Sequence, residues 1–212
     1  MIAEAVTYGE AEKALVDAFD SLERAAKDPG YWSDQALGAL KSRVKDYYIA
    51  IQNSRCCYCD RHQGTENHRA WDVEHVADRN KYPWFMFTAR NLAASCPDCN
   101  TAKGSKETLT TPGRKTYPAG SSDFRIVHPH FDDFADHIHR AGHIYLPKSK
   151  KGKNTIVMCD LLRFAEKYIE WENSATDTRF ESEVNAIFAD DRMMGLAAVE
   201  DVLAKLPNGP AA

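Results

Sequence analysis

Apolar residues recur at helical spacing near both ends of the chain and lose that period in the middle. In residues 2–28, Ala11, Leu15, Phe19 and Leu22 share one face and Pro29-Gly30 ends the run, which predicts an amphipathic helix. Ser33 is a good N-cap for a second helix carrying Leu37, Leu40, Val44, Tyr48 and Ile51 on one face. Such stripes are core surface, and the pair is expected to pack as an antiparallel lid or clamp on the middle segment. Residues 55–110 are loop-rich, with strand character only in residues 70–76 and 91–95. Cys96-Pro97-Asp98-Cys99-Asn100 reads as a helix started by proline. Residues 111–124 and 147–154, with Pro, Gly, Ser and Lys, read as loops. Helical period returns from Ile156 through Val157, Leu161, Phe164, Tyr168 and Trp171, with further runs to Leu206. The expected class is α+β: a small core in residues 55–110, a helical region in 1–54 and a mainly helical region in 111–212.

Composition changes this picture little. The chain has 212 residues, 43% of them hydrophobic and 27% charged, which suits a folded protein with a substantial core. No run of about 18 apolar residues exists, so no membrane segment is expected. The acidic N-terminus lacks the apolar stretch of a secretory signal, and a reducing cytoplasm is the expected compartment.

Charge changes it more. Residues 1–54 hold six Lys and Arg against nine Asp and Glu, and residues 154–212 hold five against eleven. Residues 55–153 hold sixteen against eleven, with five of the six cysteines and all eight histidines. A polyanion partner suits that middle segment, although the whole chain carries −4.

The cysteines supply the first candidate chemistry. Cys56 and Cys59 form one C-x-x-C pair and Cys96 and Cys99 a second, 36 residues apart. Two such knuckles set four thiolates at the corners of a tetrahedron, a soft ligand set suited to Zn²⁺. Four sulfurs leave no position for water, so the expected role is structural. Cys57 is an alternative to Cys56 at the less usual C-x-C spacing, and Cys159 is expected as a buried thiol.

Between the pairs lie Glu74-His75, then Asn91, and after the last cysteine Asn100 and Lys103. In the order Cys pair, acid-His, Asn, C-x-x-C-N-x-x-K, residues 55–107 resemble the HNH endonuclease family. The flanks look like HNH proteins of bacterial anti-phage defence, including those paired with an ATPase. The resemblance implies a ββα-metal core stapled by the four-cysteine zinc site, and hydrolysis of phosphodiester bonds in DNA. It implies His75 as general base, Glu74 and Asn100 as ligands of a catalytic Mg²⁺ or Mn²⁺, and Asn91 bridging the hairpin loop. Lys103 and Lys106 would contact phosphates. The acid is commonly Asp where this chain has Glu74, and Asp72 is an alternative ligand on the same strand face. Asn100 stands where His is frequent and favours an oxygen-loving ion.

Two other classes fit the same residues: a non-catalytic zinc-stapled module that binds nucleic acid, and a protein whose acidic helices dock on a partner such as an ATPase or sensor subunit. Among the remaining polar residues, His128, His130, His137, His139 and His143 are expected at the surface or as caps, with His137 the one that could face a cleft. Lys148, Lys150, Lys151 and Lys153 are equally a solvated loop or a phosphate grip.

Overall fold

The N-terminal apolar stripe folds into a shorter helix than its period suggests. The computed structural model describes residues 1–166, which form one compact unit. Helix α1 (Glu10–Asp20) buries Val16 and Phe19. Residues 2–8 stay outside it because their amides bond elsewhere: Ile2 N–H donates to Pro129 O (2.7 Å) and Val6 N–H to the Tyr48 hydroxyl (3.2 Å). At the far end the Lys27 ammonium donates to the carbonyls of Phe19 (2.6 Å) and Asp20 (2.8 Å), satisfying the last turn in place of further helix.

Ser33 does not cap the second helix. The chain steps through two short 3₁₀ turns, Pro29–Ser33 and Gln35–Leu37. Their first amides are taken by Asp28 (2.7 Å, from Gly30) and Asp34 (2.8 Å, from Ala36). Helix α2 (Gly38–Ile51) begins only after Leu37. Of its predicted apolar face, Leu40, Val44 and Tyr48 are buried, Leu37 is buried just before the helix starts, and Ile51 is half-buried.

Strands β1 (Asp72–His75) and β2 (Leu92–Ser95) pair antiparallel, with Asp72 opposite Ser95 and His75 opposite Leu92. Helix α3 (Pro97–Lys103) follows at once, Cys96 at its N-cap and Pro97 in its first turn. Helix α2 packs across both strands. One apolar cluster joins the N-terminal elements to the hairpin through Phe19, Leu40, Val44, Tyr48, Trp71 and Leu92. A second surrounds the cysteine knuckles and draws on Tyr58, Phe85, Phe124, Ile126 and Tyr145. Each fully buried large side chain contributes about 1.5–3 kcal/mol.

The segment after residue 124 departs most from its sequence reading. It holds a single turn of helix, α4 (Phe134–His137), then a hairpin of β3 (Ile138–Ala141) and β4 (Ile144–Pro147), then helix α5 (Lys150–Met158). Strands of four residues are too short for an alternating signal to show. The turn lies at Gly142-His143, where Gly142 takes φ 61°. Residues 150–154 are helix rather than loop, capped by Ser149, whose hydroxyl accepts the Gly152 N–H (3.1 Å). Gly152 is there for close approach: a Cβ on it would stand 1.9 Å from the His137 carbonyl oxygen.

His128 and His130 are core rather than surface residues, at 0% and 8% exposure. The His130 amide donates to His128 Nδ1 (3.1 Å), so His128 Nε2–H donates to the Tyr117 hydroxyl (2.9 Å). His130 Nε2 donates to Leu92 O (2.8 Å), tying this segment to β2. The helical readings at Tyr168, Trp171 and onward to Leu206 lie outside the described residues. The described elements make an α+β fold.

Candidate functional site

Two groups of side chains meet along α3, one of sulfur and one of oxygen and nitrogen. The sulfur group is Cys56, Cys59, Cys96 and Cys99, all buried, with their Sγ atoms within 4.8 Å of one another. Among the described residues it is the cluster of Cys, His, Asp and Glu able to hold a metal ion. A tetrahedral zinc with bonds of about 2.3 Å sets its sulfurs about 3.8 Å apart, so four buried thiols this close fit a metal such as zinc. The surroundings favour thiolates. Arg163 donates to Cys99 Sγ (3.2 Å) and the Tyr58 amide to Cys56 Sγ (3.5 Å). Cys57 and Cys159 stand outside the cluster, and burial pushes both thiols well up.

The second group lines a cleft of about 540 Å³. The strand end supplies Asp72, Glu74 and His75, helix α3 supplies Asn100 and Lys103, and the loop after β1 supplies Asp78 and Arg79. The far wall comes from the N-terminal region: Trp32, and Lys41, Ser42 and Lys45 of α2. Sequence reasoning missed this wall. No spacing in residues 1–54 distinguishes lysines that face a cleft from lysines that face water.

His75 sits at the inner end of the cleft at 6% exposure. Its Nε2 lies 3.1 Å from the Met86 carbonyl oxygen, which can only accept, so Nε2 carries the proton and Nδ1 keeps a lone pair. The edge of the Trp32 ring packs against the imidazole, centroids 4.6 Å apart and planes at 87°. Burial, with Arg79 and Lys103 nearby, pushes His75 down to about 3 against the opposing hydrogen bond to Met86. It is neutral across the physiological range.

Asn91, fully buried, holds the loop that supports this imidazole. Its side-chain nitrogen donates to Ala77 O (3.1 Å) and Phe85 O (3.0 Å), and its oxygen accepts the Ala77 N–H (2.7 Å). Met86 follows Phe85 directly, so the same loop carries the carbonyl that orients His75.

Glu74 and Lys103 form an ion pair of 2.8 Å, with side-chain exposures of 1% and 2%. The Tyr58 hydroxyl donates to the same carboxylate oxygen (3.0 Å). Burial pushes the Glu74 carboxyl up, opposed by Lys103 and Tyr58. Burial works against Lys103, yet the neighbouring carboxylate holds its ammonium above the ordinary lysine value. The pair therefore neutralises itself. Asp72 and Asn100 are more open, Asn100 Nδ2 donating to Asp72 Oδ2 (2.9 Å). Asp72, Glu74 and Asn100 offer the hard oxygen donors that suit Mg²⁺ or Mn²⁺.

The sequence reading sends Lys103 to a phosphate, whereas the structure buries it against Glu74. Lys106 is exposed, and its ammonium bonds Ala102 O and, at 3.2 Å, Met158 O. Of the lysines at 148–153, read equally as a solvated loop or a phosphate grip, two have internal partners. Lys148 donates to Ala135 O (2.7 Å), and Lys151 pairs with Asp132 and donates to Ser121 O (3.0 Å). His137 is committed to Ser149 (2.7 Å) and Asp132 (3.5 Å) and does not line the cleft. Trp71 and Phe85 are core residues.

No protein-family model matches the chain. Among curated proteins it is 28% identical over 116 residues to the Septu protein PtuB of Bacillus thuringiensis. The alignment covers 55% of this chain, and the chain spans about 40% of the length of that relative. Among the described residues, no helix is long and apolar enough to cross a membrane.

Proposed function

We propose that this chain is a metal-dependent nuclease of HNH type that hydrolyses phosphodiester bonds in DNA and serves bacterial defence against phage. The observation that carries the reading is His75. It is a neutral imidazole whose proton is fixed on Nε2 by Met86 O, at the inner end of a cleft that also holds Asp72, Glu74 and Asn100. The order of these residues in the chain and the likeness to a Septu protein support the same reading.

In this mechanism Nδ1 of His75 takes the proton of a water molecule as its oxygen bonds to phosphorus. The P–O3′ bond breaks with its electron pair on O3′, which takes a proton from solvent, leaving a 5′-phosphate and a 3′-hydroxyl. The approaching phosphate raises the basicity of the imidazole, because a negative charge favours its protonated form. Asn91 and Met86 keep the ring from turning, and Trp32 closes one side of it. A Mg²⁺ or Mn²⁺ held by Asp72, Asn100 and the deeper Glu74 would neutralise charge on the phosphoryl oxygens and the leaving oxygen. Zn²⁺ on the four cysteines would fasten α3 to the first knuckle and hold Asn100 in place. A protein partner, such as an ATPase or sensor subunit, and a cytoplasmic setting accompany the defence reading.

One observation favours a second reading, a zinc-stapled module that binds nucleic acid without cutting it. The acid beside His75 is already neutralised by Lys103. A plasmid-nicking assay with Mg²⁺ or Mn²⁺ separates the two. The first reading expects nicking that disappears in His75→Ala. Absence of nicking in the wild-type chain with its metals supplied, or its persistence in His75→Ala, overturns it.

A further inference from the structure

We propose that α2 forms the second wall of the strand-binding groove, with Lys41 and Lys45 holding backbone phosphates next to the one cut; this rests on the nuclease reading above. The two lysines stand four residues apart on one helix face, about 6 Å along its axis, and both line the cleft that holds His75. Their ammoniums are set in place. Lys41 donates to Trp32 O (3.0 Å) and Asp34 O (3.3 Å), and Lys45 to His68 O (3.0 Å) and Trp71 O (2.7 Å). Each ammonium has three donors and spends two on carbonyls, so one donor and the full charge remain for a ligand. Neither lysine has a carboxylate partner among the ion pairs of the described residues.

Charge makes these two residues decisive. The cleft holds four cationic side chains, Lys41, Lys45, Arg79 and Lys103, against three carboxylates, Asp72, Glu74 and Asp78. Without the α2 pair, and with no metal ion bound, the carboxylates outnumber the cations and the cleft repels a phosphate. Of the other cations only Arg79, which donates to Pro29 O (2.9 Å), remains for a ligand in the cleft, and alone it does not balance Asp72 and Asp78. Lys103 is spent on Glu74, and Lys148 and Lys151 are spent away from the cleft. An acidic N-terminal region thus supplies the cationic wall, because its helix turns two of its few lysines toward the site. The ligand class is a nucleic-acid strand recognised through its phosphates.

The test is the salt dependence of binding by the full chain carrying His75→Ala, which separates binding from cutting. The probe is a fluorescent single-stranded oligonucleotide without added divalent cation. Each lost phosphate contact on a single strand lowers the slope of log affinity against log salt by about 0.7. Lys41→Gln with Lys45→Gln should therefore reduce it by about 1.4, alike for unrelated sequences, while Lys41→Arg with Lys45→Arg keeps it. If the double Gln variant melts early, Lys41→Gln alone carries the test with a reduction of about 0.7. An unchanged slope, or no binding by the parent chain, overturns the α2 wall. A reduced slope upholds it even where the wild-type chain does not nick plasmid, a result that would count against the catalytic reading alone.

Discussion

The two candidate ion sites share one short helix and are built in opposite ways. Cys96 and Cys99, at the start of α3, complete a set of four buried sulfurs drawn entirely from the protein. Asn100 and Lys103, further along the same helix, face a cleft where the deepest acid is already paired with an ammonium and the other donors stand open. The sulfur site is complete without substrate, so a metal held there would act on stability. On the nuclease reading, the oxygen site would reach its full set of charges only with an ion and a phosphate present. A structural centre satisfies itself, and a working centre is left short of partners.

The sharpest way to break this comparison is to remove one sulfur. Cys59→Ser should release the metal and cost a large part of the about 10–16 kcal/mol that a structural zinc contributes, because binding and folding are coupled. Elemental analysis and thermal melting check it together. A folded, metal-free variant would show that the cluster does not staple the fold.

Removing the base tests the other site. His75→Ala should lower nicking about 10²–10⁴-fold while the metal content of the four-cysteine cluster stays near wild type. Asn100→Ala should raise the Mg²⁺ or Mn²⁺ concentration needed for half-maximal nicking, and the double variant should be little worse than the poorer single one.

The Glu74–Lys103 pair lies between the two cases. Lys103→Met leaves a buried carboxylate without its partner and should cost about 3–5 kcal/mol, read by denaturant unfolding. Added Mg²⁺ should recover more of that loss in Lys103→Met than it adds to wild type, if the acid can serve a cation. Equal Mg²⁺ effects in both would leave Glu74 as a structural anchor only.

The smallest effect per group is on pH dependence. His75, His128 and His130 all lie below the ordinary histidine value in the fold, chiefly through burial. The unfolded chain therefore binds more protons below pH about 6.5, and stability is full above that value and falls as the pH drops through it. Each histidine contributes a slope of at most about 1.4 kcal/mol per pH unit, between the unfolded value and its own lowered value in the fold. Unfolding free energies measured between about pH 7 and 5 check this, and His130→Asn should remove one such share.

Residue type and spacing alone determined the chemistry near the cysteines. The two C-x-x-C pairs, the proline that opens α3 and the apolar face of α2 follow from local rules of metal geometry, helix initiation and 3.6-residue period. Glu74, His75, Asn91 and Asn100 were legible as an ordered set only through the resemblance to a known family, and the fold brings Glu74, His75 and Asn100 into one cleft. The start of α1 and the helix at residues 150–154 were not legible, because distant groups bear on them: Pro129 for Ile2, Tyr48 for Val6, His137 for Gly152; the β3–β4 strands were too short to show a period. The same holds for charge. Residue counts made the N-terminal region acidic and the middle basic, yet packing spent Lys103 on Glu74 and turned Lys41 and Lys45 into the cleft. A local pattern fixes what a residue can do within a turn or a strand; which partner it meets depends on contacts between residues far apart in the chain, and those exist only in the folded state.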